Sequence, residues 1–145
     1  KIRQQKSQLP INYRKISTTD LVKEGKQYDV ITCLEMLEHV PDPSIVVKEC
    51  AQLCKSGGHL FFSTINRNLK SFIFAILGAE YILNILPQGT HEFEKLIKPS
   101  EMKSFIDSAD LEFEEVNGMS YLPFLDIVRL TDDPSVNYII HATKR

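Results

Sequence analysis

Tyr28-Asp29-Val30-Ile31-Thr32-Cys33-Leu34, followed by Glu35-Met36-Leu37-Glu38-His39-Val40 and then Asp42-Pro43, is the stretch that decides the fold. The first seven residues are apolar and β-branched, with Gly25 upstream. A run of that length predicts a strand buried on both faces. Asp42 is a good helix N-cap and Pro43 a good first helical residue. Val46, Val47, Cys50, Leu53 and Cys54 then recur at helical spacing, and Gly57-Gly58 is expected to end that helix. His59 to Thr64 is a second buried-type strand. Strand, helix and strand joined by short connections predict a parallel, doubly wound α/β sheet.

Upstream, Ile11 to Ile16 alternates after Pro10 and reads as a strand. Ser17 and Thr18 offer caps for a helix starting near Leu21. Downstream, Pro99 to Ala109 reads as a helix capped by Ser100. Leu111 to Asn117 and Val136 to Thr143 read as two strands joined by a non-helical linker, an antiparallel ending to the sheet.

Bulk properties fit one domain of 145 residues, 43% hydrophobic and 25% charged, with a net charge of −2. That balance gives no footprint for nucleic acid. Cys33, Cys50 and Cys54 are an odd count without paired spacing, so neither a disulfide framework nor a zinc site is expected. Lys1 to Lys6 carries no apolar stretch and no cleavage site, so it is not a signal peptide. It reads as the tail of a helix, and the chain is expected to begin mid-domain.

Glu35, Glu38 and His39 lie at i, i+3 and i+4. On a helix they would share one face, just past the C-terminal end of a parallel strand, where ligands bind in doubly wound sheets. Two carboxylates and an imidazole suit Mg²⁺ or another divalent cation. The alternative is solvated charges, with His39 packed beside Val40. Ser17 and Thr18 could contact a nucleoside or merely cap their helix. His91, after Gly89-Thr90, reads as a loop residue or a second base.

Leu69 to Leu86 is the apolar segment, with 13 of its 18 residues apolar and Pro87 closing it. As a helix it would be about 27 Å long, close to a bilayer core. Lys70, Glu80 and Asn84 interrupt it, which argues against a transmembrane span. A lid over an apolar substrate, a helix in the membrane interface and a buried core helix all remain open. Phe72, Ile73, Phe74, Ile76 and Ile82 would be its contact residues, with Arg67, Lys70, Lys95 and Lys98 near anionic headgroups.

Four blocks carry a family resemblance. Tyr28 to Val40 resembles the fourth strand and following loop of class I S-adenosylmethionine-dependent methyltransferases. Lys55-Ser56-Gly57-Gly58-His59-Leu60 resembles their turn before the fifth strand, with Ser56 where many members have proline. Ser63 to Asn68, and Gly78 to Leu83 leading to Pro87-Gln88-Gly89-Thr90-His91, resemble the ubiquinone-biosynthesis O-methyltransferases, as does Val136-Asn137-Tyr138.

The resemblance implies a partial Rossmann-like fold, residues 1–145 forming the C-terminal portion of one methyltransferase domain with an apolar insert at about 69–98. It implies S-adenosylmethionine as cofactor, with Leu34, and Ser17 and Thr18 near the adenine, as its contacts. Glu35, Glu38 and His39 match the family's metal site, and His39 is the candidate catalytic residue. His39 cannot ligate through a nitrogen and take a proton on it at once; metal-assisted deprotonation is the expectation. The substrate would be a polyprenylated catechol or hydroxyphenol. Peripheral membrane contact through Leu69 to Leu86 would follow, with other ubiquinone-biosynthesis enzymes as further partners. The compartment would be the bacterial cytoplasm beside the inner membrane, or the matrix side of the mitochondrial one. The alternatives are another small acceptor, or an inactive fragment.

One element of the pattern is absent from these residues. The family holds its cofactor on a glycine-rich turn after the first strand and an acidic residue after the second. Neither motif occurs here, so both are expected upstream of Lys1. The 145-residue chain alone is then expected to be inactive and, with a strand edge bared, aggregation-prone.

Overall fold

A computed structural model describes residues 10–71, 93–122 and 127–145. The segments 72–92 and 123–126 contain most of the apolar insert, its contact residues Phe72, Ile73, Phe74, Ile76 and Ile82, and His91; those expectations lie outside the described residues.

Helix α1 (Thr18–Lys23) precedes strand β1 (Tyr28–Leu34), a 3₁₀ turn (Leu37–His39), helix α2 (Pro43–Leu53) and strand β2 (Cys54–Ile65). A helical turn (Leu69–Ser71), a 3₁₀ turn (Phe93–Lys95), helix α3 (Pro99–Ser108) and strands β3 (Leu111–Leu122), β4 (Ile127–Thr131) and β5 (Asn137–Lys144) follow. The strand order is β1-β2-β5-β3-β4. β1 and β2 are parallel, and every other pair is antiparallel. The α/β class, the parallel pair and the antiparallel ending therefore agree with the sequence reading.

Asp42 caps α2 by accepting from the Ser44 N–H at 2.9 Å, with Pro43 in the first turn. α2 stops at Leu53, earlier than the glycine pair suggested, because Cys54 already pairs with Tyr28. Gly58 is needed for space: a Cβ there would sit 2.7 Å from Cys54 Sγ and 2.8 Å from the Asp29 carbonyl. α3 is capped by Lys98, not Ser100, since Pro99 takes the first helical position and the Glu101 carboxylate accepts the Lys98 N–H at 2.9 Å.

One face of the sheet forms the core. Leu60, Phe62, Leu111, Tyr138, Ile140 and Ala142 pack against Val46, Val47 and Cys50 of α2 and Met102 and Ile106 of α3. The Tyr138 hydroxyl donates to the Ile97 carbonyl at 2.9 Å, so this buried phenol anchors the entry to α3.

Three expectations need correction. β1 is not buried on both faces: of its seven residues only Cys33 is buried, while Val30 is 55% exposed and Leu34 51%. β1 is the sheet edge, and no described element pairs with its outer side. Ile11 to Ile16 is not a strand. In the doubly wound order 3-2-1-4-5-6 the third strand pairs only with the second and is separated from the fourth by two strands; the described sheet offers it no partner. The linker between the last two expected strands contains β4, an edge strand whose Val128 and Leu130 are exposed.

Candidate functional site

Parallel pairing sets the C-terminal ends of β1 and β2 side by side, with Leu34 opposite Ser63. There the chain turns sharply, and Glu35 takes a left-handed conformation (φ 49°). Ser63 holds that turn. Its Oγ accepts the Glu35 N–H at 3.1 Å and donates to Glu35 Oε1 at 2.7 Å, while the Ser63 carbonyl also accepts the Glu35 N–H at 3.0 Å. Glu35 is thus outside the helical turn that follows, and the one-face helical arrangement inferred from spacing does not form.

Glu38 and His39 lie in the 3₁₀ turn. The Glu38 side chain is 1% exposed and that of His39 is 46% exposed. Thr64 Oγ1 donates to Glu38 Oε2 at 2.7 Å. Glu38 Oε1 is buried without a hydrogen-bond partner, and His39 Nε2 stands 3.9 Å from it. A buried carboxylate oxygen left open toward an imidazole is costly to the fold, and such groups mark functional positions. Among the described residues, no three His, Cys, Asp or Glu side chains stand close enough to hold a metal ion.

This arrangement gives a stability prediction. Glu38→Gln retains an acceptor for Thr64 and removes the buried charge, so it is expected to stabilise the fold by about 1 kcal/mol. The midpoint of urea unfolding checks it, and a lowered midpoint would mean that the carboxylate stabilises the turn.

The other predicted residues are placed as follows. Leu34 is exposed at the end of β1, with its side chain on the sheet face opposite α2 and α3. Ser17 caps α1: its Oγ accepts the Asp20 N–H at 3.1 Å and donates to Asp20 Oδ2 at 2.7 Å. Thr18 Oγ1 donates to Glu49 of α2, and Thr19 Oγ1 reaches the same carboxylate at 2.6 Å. Both predicted adenine contacts therefore use their hydroxyls to hold α1. A cleft of about 240 Å³ lies beside the 3₁₀ turn, lined by Leu37, Val40, Pro43, Ile97, Phe105 and Arg67, among others. Arg67 pairs with Glu101 and donates to the Glu94 carbonyl at 3.1 Å. Lys70 binds Asp133 at 2.7 Å and Ser135. These two cations are engaged within the chain instead of standing ready for headgroups. Asp133 is held down at about 2 by Lys70 and Ser135.

Ser63 and Thr64 were missed as site residues. The available signal was two hydroxyls at the end of the strand parallel to β1. Parallel neighbours end together, so these hydroxyls had to reach the residues just after Leu34.

A protein-family model described as a methyltransferase domain matches residues 4–116. The chain belongs to the methyltransferase-domain family. A protein of Hahella chejuensis named ubiquinone biosynthesis O-methyltransferase is 53% identical over 139 residues, covering 95% of this chain and 58% of that protein. The chain spans about three-fifths of the length of the curated relatives it matches. Among solved structures, magnesium protoporphyrin IX methyltransferase from Synechocystis, solved with bound S-adenosylhomocysteine, superposes with a TM-score of 0.56 at 18% identity over 87% of this chain and 49% of that one. TehB of Haemophilus influenzae gives 0.62 at 13% identity over 99% and 44%. These two likenesses establish the class I methyltransferase fold for the sheet described above.

Proposed function

We propose that this methyltransferase-domain chain is the acceptor-side portion of an enzyme that moves a methyl group from S-adenosylmethionine to a hydroxyl of a polyprenylated catechol or hydroxyphenol in ubiquinone biosynthesis. The observation that carries this reading is the 53% identity, over nearly the whole chain, to a relative bearing that name.

S-adenosylmethionine, when bound, supplies an electrophilic methyl for in-line displacement by a phenolic oxygen. Leu34, exposed at the strand end, borders the adenosyl side, whereas the Ser17 and Thr18 hydroxyls, expected there too, are engaged by Asp20 and Glu49. Leu34 fits one flank of a cofactor site; the 145 residues hold no glycine-rich turn to form the other. His39 takes the phenol proton on its exposed imidazole. The buried Glu38 carboxylate stands 3.9 Å from that imidazole. Ser63 fixes the Glu35 turn and Thr64 fixes Glu38, so proton acceptor and carboxylate are positioned before substrate arrives. Glu35, Glu38 and His39, the expected cation ligands, do not converge as a metal site among the described residues, so His39 serves here as proton acceptor and not as a ligand.

The apolar Leu69 to Leu86 segment carries the contact with the prenyl chain and the membrane surface, so the protein sits peripherally on the bacterial inner membrane. Among the described residues, no helix is long and apolar enough to cross a bilayer.

The test uses a completed enzyme: this chain joined to the part of the Hahella relative that it does not cover. Labelled methyl is expected to pass to a polyprenyl catechol far faster than to the catechol without its prenyl chain. Equal rates on both acceptors would refute the polyprenyl assignment and favour a small soluble acceptor.

A further inference from the structure

The sheet face opposite α2 and α3 carries a pair of imidazoles, midway along β2 and away from the candidate site. His59 and His141 stand on adjacent antiparallel strands, with His59 opposite Thr143 and His141 opposite Phe61. His59 Nδ1 and His141 Nε2 are 2.9 Å apart. The Phe61 ring stacks on the His141 ring, with centroids 4.8 Å apart and planes 11° apart, which fixes the orientation of that imidazole. His59 is exposed and His141 half-buried, so neither serves the core. On β3, Glu115 stands opposite His141, and Glu114 accepts from the Thr143 hydroxyl at 2.6 Å. The two rings thus stand in contact, with carboxylates on the neighbouring strand.

We propose that His59 and His141 form a two-imidazole clamp for a borderline divalent transition-metal ion of the Zn²⁺, Ni²⁺ or Cu²⁺ class. Metal–imidazole bonds are about 2.0–2.1 Å long, and two of them at a right angle put the nitrogens about 2.9 Å apart. A tetrahedral ion needs a separation only a few tenths of an ångström wider. The proton lying between the two nitrogens moves to the far nitrogen of its own ring, leaving two lone pairs for the ion. Among the described residues no third His, Cys, Asp or Glu completes the set, so water fills the remaining positions. Hard ions such as Mg²⁺ and Ca²⁺ prefer oxygen ligands and are disfavoured. Ser63 lies four residue steps beyond His59, roughly 13 Å along β2. The clamp therefore tethers β2 to β5 without touching the Glu38–His39 turn.

Calorimetric titration of the untagged chain with NiCl₂ and ZnCl₂ tests this. One ion per chain is expected. His59→Gln and His141→Gln should each weaken binding by about 10–100-fold, and His39→Gln should leave it unchanged. Neither mutated ring belongs to the buried core, and Cu²⁺ electron paramagnetic resonance of the parent chain gives a reading independent of the variants. Hyperfine structure from two nitrogens is expected. No binding, binding that survives both substitutions, binding lost with His39, or a spectrum without two nitrogen ligands would each overturn the proposal.

Discussion

Replacing His39 with glutamine in the completed enzyme is expected to slow methyl transfer about 10²–10⁴-fold, the usual contribution of a positioned proton acceptor. The imidazole is the exposed group of its turn, 46% accessible, whereas its neighbours Leu37 and Glu38 are buried. Its removal should leave the fold and cofactor affinity close to the parent values, so the loss should appear in kcat. A glutamine cannot accept the phenol proton at neutral pH. Single-turnover rates with saturating cofactor check the prediction. A rate indistinguishable from the parent's would remove His39 from the mechanism.

Gly118→Ala is expected to be the most damaging small substitution for the fold. Gly118 is buried in β3 between Thr131 of β4 and Tyr138 of β5. A Cβ there would stand 2.0 Å from the Asp133 carbonyl oxygen and 2.5 Å from its carbon. The obstacle is backbone, and that backbone is tied down. Asn66 donates to the Pro134 carbonyl at 3.0 Å, Asn68 to the Ser135 carbonyl at 2.6 Å, and Lys70 pairs with Asp133. Relief requires moving the 131–135 loop and breaking those bonds, at about 3 kcal/mol or more. That is a large share of the roughly 5–15 kcal/mol by which domains of this size are stable. Gly57 provides the comparison. It has open space around it, and its φ of 75° is the only obstacle to a side chain, so alanine there should cost about 1 kcal/mol. Urea midpoints of the two variants measure the difference, and equal midpoints would contradict the packing argument.

What the sequence made legible follows periodicity. The β1-α2-β2 unit was readable because its strands are continuous apolar runs and Asp42-Pro43 marks a helix start. The alternation in β5 was readable because Tyr138 and Ile140 face the core. Ile11 to Ile16 failed because strand propensity does not supply a partner. β4 was passed over because a short edge strand with exposed Val128 and Leu130 has no buried face to reveal its period. At the site, Glu38 and His39 were found by type and spacing. Their arrangement was not, because the left-handed turn at Glu35 depends on a hydroxyl 28 positions later, and local pattern carries no record of such a contact. The hydrogen bonds of Asn66, Asn68 and Lys70 to the 133–135 loop were hidden for the same reason. Residues that resembled a family signature prove to stitch two loops together.

Under the proposed function, these residues supply the acceptor side of a methyltransferase site and one flank of its cofactor pocket. Calorimetric titration with S-adenosylmethionine, run on the 145-residue chain and on the completed enzyme, bears on it most directly. Micromolar binding is expected for the completed enzyme and none at that level for the chain alone. Micromolar binding by the chain alone would contradict the claim.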